Sequence, residues 1–190
     1  CSAGTFQAEE GRLGCDLAPV STFADLSAMV LPRECAPGSF NDQTGQDRCR
    51  YCDPGKHQDQ GGRSECGPCG AGTYADSMGS VLCRPCGDGT SEHRAGQASC
   101  QDCLEGQYQP DHGQIACLVA SPGHYVSGSR RNTQSMCEQG RYTDQAGQHT
   151  CRSCFRGVYQ DEAGQRGCRK ARRGHYVGGR GEGASVPCRP

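Results

Sequence analysis

The chain of 190 residues carries 17 cysteines and 29 glycines but only 20 Leu, Ile, Val and Phe residues in total, too little apolar volume for one large core. A formal net charge of −1 gives no general attraction to nucleic acid, and no run of apolar residues is long enough to insert in a membrane. Cysteine at this density marks a disulfide scaffold in an oxidising compartment, so the protein is expected to be secreted or displayed at the cell surface.

One unit recurs along the whole chain. Cys137–Ser153 reads CEQGRYTDQAGQHTCRS and Cys154–Lys170 reads CFRGVYQDEAGQRGCRK, a repeat of 17 residues. The same frame runs without insertion or deletion from Cys1, giving eleven complete units and a twelfth opened by Cys188. The fourth position is Gly in ten units, with Ser21 the exception. The sixth is Phe or Tyr in nine, with His57 and Ser91 departing, and the eleventh is Gly in nine, broken by Ala28 and Arg130. A fixed period of this quality marks a repeat array whose neighbours stack.

In chain order, residues 1–17 form a standard repeat. Residues 18–34 form a degenerate one without cysteine, rich in Val20, Phe23, Leu26, Met29, Val30 and Leu31. Its apolar spacing would also suit a helical turn after Ser21 or Thr22, although its length fits a hairpin. Residues 35–119 are five consecutive disulfide repeats, residues 120–136 a cysteine-free repeat, residues 137–170 two more disulfide repeats, residues 171–187 a third cysteine-free repeat, and residues 188–190 the start of a twelfth. Starting at Cys1 with neither Met nor a leader, the sequence reads as processed or cut from a longer chain.

The lost cysteines indicate the pairing. Three repeats lack the first cysteine, at Ala18, Ala120 and Ala171, and the same three lack the second, at Pro32, Gln134 and Ser185. Cysteines thus vanish in pairs 14 residues apart. Bonds within repeats would join Cys1 to Cys15, Cys35 to Cys49, Cys52 to Cys66, Cys69 to Cys83, Cys86 to Cys100, Cys103 to Cys117, Cys137 to Cys151 and Cys154 to Cys168, leaving Cys188 alone. Pairing of C-x-x-C neighbours would orphan seven cysteines, and a four-thiolate zinc site at Cys49, Cys52, Cys66 and Cys69 would leave Cys1, Cys15 and Cys35 unused. No metal and no cofactor are expected.

Within a unit, Arg141–Thr143 reads as a strand, Asp144–Gly147 as the turn and Gln148–Cys151 as the returning strand. Asp recurs at the eighth position (Asp25, Asp42, Asp59, Asp76, Asp144, Asp161), where a turn explains it more simply than calcium does. A disulfide closing such a loop is worth about 3 kcal/mol on chain-entropy reasoning. The aromatic file at the sixth position is expected to lie over the next repeat's disulfide or glycines. The expected fold is a small disulfide-rich β protein, a linear solenoid-like array of hairpins forming a rod on the order of 100 Å long.

Repeats eight and eleven share Gly-His-Tyr-Val, 51 residues apart, and the cysteine-free units are the second, eighth and eleventh, equal modulo three. Winding with about three repeats per turn would line them along one side. From this comes a candidate interaction patch of Val20, Phe23, Leu26, Met29, Val30 and Leu31 with Tyr125, Val126, Tyr176 and Val177. Residues 166–190 hold seven basic residues against Glu182, whereas residues 1–34 hold five acidic against two basic, a bias that would suit an anionic glycan or head-to-tail contact.

The pattern C-x-x-G-x-[YF]-x-x-x-x-G-x-x-x-C, continuing x-x-C, resembles the ephrin-receptor-like cysteine-rich repeat, and each loop is similar to the simplest module of tumour necrosis factor receptor ectodomains. Its unbroken spacing is also similar to tandem arrays of large extracellular surface proteins, including the mastigoneme type. The resemblance implies an extracellular structural repeat protein, forming the rod or sheath of a filament, stalk or appendage. Its partners would be other copies or other filament subunits, and glycans. A receptor or adhesin stalk binding a protein or glycan is the alternative. No catalytic residue is expected, because no acid and base or nucleophile and base are paired in the sequence.

Overall fold

In the computed structural model, which describes residues 1–189, the fold is all-β, without helices or a barrel, among the described residues. Twenty-two strands of two residues each pair into eleven antiparallel hairpins, one per repeat. The strands occupy the fifth and sixth positions and the sixteenth and seventeenth: Thr5–Phe6 with Asp16–Leu17, Arg141–Tyr142 with Arg152–Ser153, and so on. The second repeat follows the same plan, Thr22–Phe23 pairing with Arg33–Glu34, so the helical alternative for that stretch does not form.

The returning strand begins one residue after the second cysteine, not at Gln148 as the sequence suggests. The reason lies in where the loop's backbone groups go. Gly147 N donates to Ala120 O of the preceding repeat at 2.7 Å, and Gln148 O accepts from Val126 N at 3.0 Å. Both groups are spent on a neighbour and cannot form a ladder within the hairpin.

Contacts divide the molecule into two units, residues Cys1–Cys86 with Glu92–Cys100, and Gly87–Ser91 with the stretch from Gln101 onward. In the first, repeats three and four are joined by four backbone hydrogen bonds: Gly38 N to Gln58 O (2.7 Å), Asn41 N to Arg63 O (3.3 Å), Cys52 N to Gly38 O (2.9 Å) and Gly62 N to Cys35 O (2.8 Å). In the second, repeats eight and nine use the equivalent groups: Gly123 N to Thr143 O, Val126 N to Gln148 O, Cys137 N to Gly123 O and Gly147 N to Ala120 O. The cysteine-free eighth repeat therefore keeps the full set. A two-residue strand pair is far below the size that holds in water, so these bonds between repeats complete what each hairpin lacks.

The fourth-position glycine is required twice over. In each unit it has positive φ, +80° at both Gly38 and Gly106. A Cβ there would collide with a backbone carbonyl two repeats on, that of Gly79 for Gly38 and that of Gly147 for Gly106. For Gly89 the obstructing atom is Arg130 O, 2.6 Å from where the Cβ would stand. Among the described residues, the non-glycine residues with positive φ are Ser21, Ala28 and Arg130, the residues that replace glycine in the frame. The backbone path is held by its neighbours strongly enough to impose a left-handed conformation costing ~1–2 kcal/mol on an ordinary residue.

Gly106→Ala and Gly147→Ala separate the two demands. Both glycines have positive φ, but nothing lies within 4 Å of a Cβ at Gly147. Denaturant unfolding is expected to show a loss of about 1 kcal/mol for Gly147→Ala and at least ~3 kcal/mol for Gly106→Ala, whose Cβ has no space.

Candidate interaction surface and the disulfide core

The buried side chains are mainly the first cysteine of the disulfide repeats and the residue at the seventh position. Eight disulfides close loops of equal span, Cys1–Cys15, Cys35–Cys49, Cys52–Cys66, Cys69–Cys83, Cys86–Cys100, Cys103–Cys117, Cys137–Cys151 and Cys154–Cys168, with Cα atoms 5.5 to 5.9 Å apart. The two cysteines of each C-x-x-C thus belong to successive loops. From Cys35 to Cys154 the first cysteine is buried, and in the cysteine-free repeats Ala18 and Ala120 are buried at the same place. Cys188 is exposed and free.

The seventh side chain points into the loop. Gln109 Nε2 donates to Ala116 O at 2.8 Å while its Oε1 accepts from Asp111 N at 3.1 Å; Gln58 does the same with Glu65 O and Gln60 N, and Gln160 with Gly167 O and Glu162 N. One amide therefore ties both ends of an irregular loop. Asn41 reaches Arg48 O and also Thr22 O of the preceding repeat, and Thr143 Oγ1 accepts from Gly123 N at 2.8 Å. Glu92 is 1% exposed and accepts from Arg94 N at 3.0 Å. That backbone donor, with the Arg94 guanidinium, holds its carboxyl below the usual range against the opposing effect of burial.

The sequence reading placed Val126 and Val177 in the surface patch. They are 2 and 6% exposed because they occupy this inward seventh position, and the patch loses them. Phe23, Met29 and Tyr125 are half-buried, and Tyr176 is exposed. Met29 is held by its backbone, its carbonyl accepting from Gln7 N. Val20, Leu26, Val30 and Leu31 remain exposed, the last two at 62 and 66%. Val81 and Leu82 of repeat five are exposed at the same thirteenth and fourteenth positions, an apolar pair that sequence reasoning missed. Comparing repeats 51 residues apart would have found it.

The sixth-position residue meets the following repeat where its partner can be seen directly. His57 Nδ1 is 3.2 Å from Cys83 Sγ, and Ser91 Oγ is 3.3 Å from Cys117 Sγ. The recurrent Asp at position eight serves a purpose other than the turn. It faces an Arg at position sixteen across the hairpin in five repeats: Asp25 with Arg33 (3.1 Å), Asp42 with Arg50 (3.6 Å), Asp76 with Arg84 (3.5 Å), Asp144 with Arg152 (3.7 Å) and Asp161 with Arg169 (3.2 Å). These pairs are exposed and each is worth at most ~1 kcal/mol. In the second unit, Tyr142, Arg152, Ser153, Phe155 and Arg180 line an open groove, and the Arg180 guanidinium lies 4.8 Å from the centre of the Phe155 ring.

Residues 140–181 match the family described as tyrosine-protein kinase ephrin type A/B receptor-like. The repeats of this stretch are ephrin-receptor-like cysteine-rich repeats. The match runs from Gly140 of the ninth repeat to Gly181 of the eleventh, and the same 17-residue frame and hairpin continue on its N-terminal side. No curated protein matches the chain. The disulfides imply an extracellular location, and among the described residues no helix is long and apolar enough to cross a membrane. Fold and family together indicate a structural or ligand-binding ectodomain segment.

Gln109→Ala should lower stability by about 1–3 kcal/mol in chemical denaturation, because Ala116 O and Asp111 N lose a partner inside the loop. Glu92→Gln tests the ionised member of the file. A carboxyl whose pKa is depressed by folding stabilises above its unfolded value, near 4.3, and ceases to do so as pH falls through its folded value. Melting curves are therefore expected to show wild type losing ground to Glu92→Gln as pH drops below about 4.

Proposed function

We propose that this chain is a segment of an extracellular structural protein, a stiff rod or sheath element of a filament, stalk or surface appendage that associates with other copies of itself. The observation that carries the reading is the economy of each repeat. In eight repeats the loop is closed by its own disulfide, and in disulfide and cysteine-free repeats alike loop backbone groups bond to neighbouring repeats. Most of the contour between the first and second cysteine lies inside a covalent loop, which suits a chain that bears tension. The lateral contact is assigned to Val30, Leu31, Val81 and Leu82, apolar side chains exposed in the first unit with no partner among the described residues.

A second reading, a receptor or adhesin stalk, is favoured by one observation. The groove of Arg152, Arg180, Phe155 and Tyr142 combines two cations with aromatic faces, a combination suited to a sulfated or carboxylated glycan.

Sedimentation and negative-stain imaging of the chain with its disulfides intact separate the two. The structural reading expects elongated particles that associate laterally, and expects Val30→Ser, Leu31→Ser, Val81→Ser and Leu82→Ser together to abolish the association while the particles stay elongated. A compact particle overturns both readings, and a monomer at all concentrations that binds a sulfated glycan through Arg152 and Arg180 replaces the first reading with the second.

A further inference from the structure

The sixth position carries an aromatic ring in nine repeats, and in repeat four it carries His57. That imidazole stands against the disulfide of repeat five, Nδ1 lying 3.2 Å from Cys83 Sγ. The ligand atoms of His57, Cys69 and Cys83 all lie within 4.8 Å of one another. Across the hairpin from His57 is Gly67, which has no side chain to cover the ring. Among the described residues the other polar side chains at disulfide sulfurs are Ser91, Asn41 and Thr143, none of which ionises. The two sulfurs also differ in access, Cys69 being fully buried and Cys83 half-buried.

We propose that the Cys69–Cys83 bond is a site of covalent exchange with an external dithiol, made reactive by His57. The thiolate of the dithiol attacks Cys83 Sγ, the accessible sulfur, forming a mixed disulfide. The Cys69–Cys83 bond breaks and its electron pair passes to Cys69 Sγ, which leaves as a thiolate within 4.8 Å of the imidazole. The second thiol of the reagent then attacks its own partner sulfur in the mixed disulfide and expels Cys83 as a thiolate, to which the Nδ1–H of His57 donates. The dithiol ends as a disulfide, oxidised by two electrons, and its two protons end on Cys69 and Cys83. A donor beside a leaving sulfur lowers that thiol's pKa and speeds its departure. A Phe or Tyr ring at the same place carries no ring N–H to donate. Repeat five is the middle of the five consecutive disulfide repeats, so exchange there opens the covalent frame in its stiffest stretch. The inference holds for either reading of the function.

The experiment uses the whole folded chain and limiting dithiothreitol, with differential alkylation and peptide mapping over time. Cys69 and Cys83 are expected to be labelled about tenfold faster than the pairs on either side, Cys52–Cys66 and Cys86–Cys100. His57→Tyr, which installs the residue usual at this position, should bring the rate down to that of the neighbours. His57→Ser, which leaves the sulfur open beside a neutral hydroxyl as Ser91 does at Cys117, should be slow as well. Equal rates at the three bonds in wild type, or an undiminished rate in His57→Tyr, overturns the proposal. A fast His57→Ser also overturns it, since exposure alone would then account for the reactivity.

Discussion

The architecture rests on a close approach of main chain to main chain. A fourth-position glycine lies so near the eleventh-position carbonyl two repeats later that no side chain fits between them, as at Gly106 against Gly147 and Gly123 against Gly164. This contact spans 41 residues of sequence, yet it is made of the two least variable points in a 17-residue frame. An insertion at any point would break every such contact whose 41-residue span contains it, which gives a physical reason for a frame without a single gap. The hydrogen bonds between adjacent repeats add a second restraint of the same kind, again backbone to backbone.

Because the backbone supplies the joints, side chains are released from the work of cohesion. What is buried is small: the first cysteine from Cys35 to Cys154, or the alanine that stands for it at Ala18 and Ala120, and the seventh residue in most repeats. A large apolar core is unnecessary when each loop is closed covalently and the loop's polar groups are satisfied by one amide reaching both ways, as Gln109 does. The same economy leaves leucines and valines exposed both in loops, as at Val30, Leu31 and Leu82, and in strands, as at Leu118 and Val119. Their positions bear on what the surface meets rather than on whether the repeat forms.

Much of this was legible in the sequence because the demands that matter recur at fixed spacing. Glycine at the fourth and eleventh positions, the strand residues after it and the hairpin plan could be read from Cys137 to Lys170 alone. Even the exceptions were informative, since Ser21, Ala28 and Arg130 mark the places where an ordinary residue takes a glycine conformation. The course of the return strand was not legible, because the loop's donors are spent on another repeat, a fact no single unit contains. The Asp and Arg pairs could have been found, since five of the six aspartates have an Arg eight positions on, Asp59 with Gly67 being the exception, but a turn offered a local explanation for the aspartate first. The seventh position was hidden by its variety. Gln, Asn, Glu, Thr, Ala and Val share no chemistry, and only their inward placement, buried in all but Gln7 and Gln58, shows that they do one job.

That variety resolves into a longer period. Read in threes, the seventh residue is Gln in repeats one, four, seven and ten, and Ala or Val in repeats two, five, eight and eleven. It is Asn, Glu or Thr in repeats three, six and nine. The disulfide is missing only from repeats whose seventh residue is apolar. An apolar seventh residue makes no demand on the loop's carbonyls, so those loops are held by other means. In repeat eight Gln134, standing where the second cysteine would be, accepts from Ser121 N at 2.7 Å with its side-chain oxygen, closing with a hydrogen bond the ring that sulfur closes elsewhere. A hydrogen bond of this sort is worth about 1 kcal/mol where the disulfide is worth about 3. The cysteine-free repeats all fall in this apolar third of the frame, although repeat five, with Ala75 at its seventh position, keeps its disulfide.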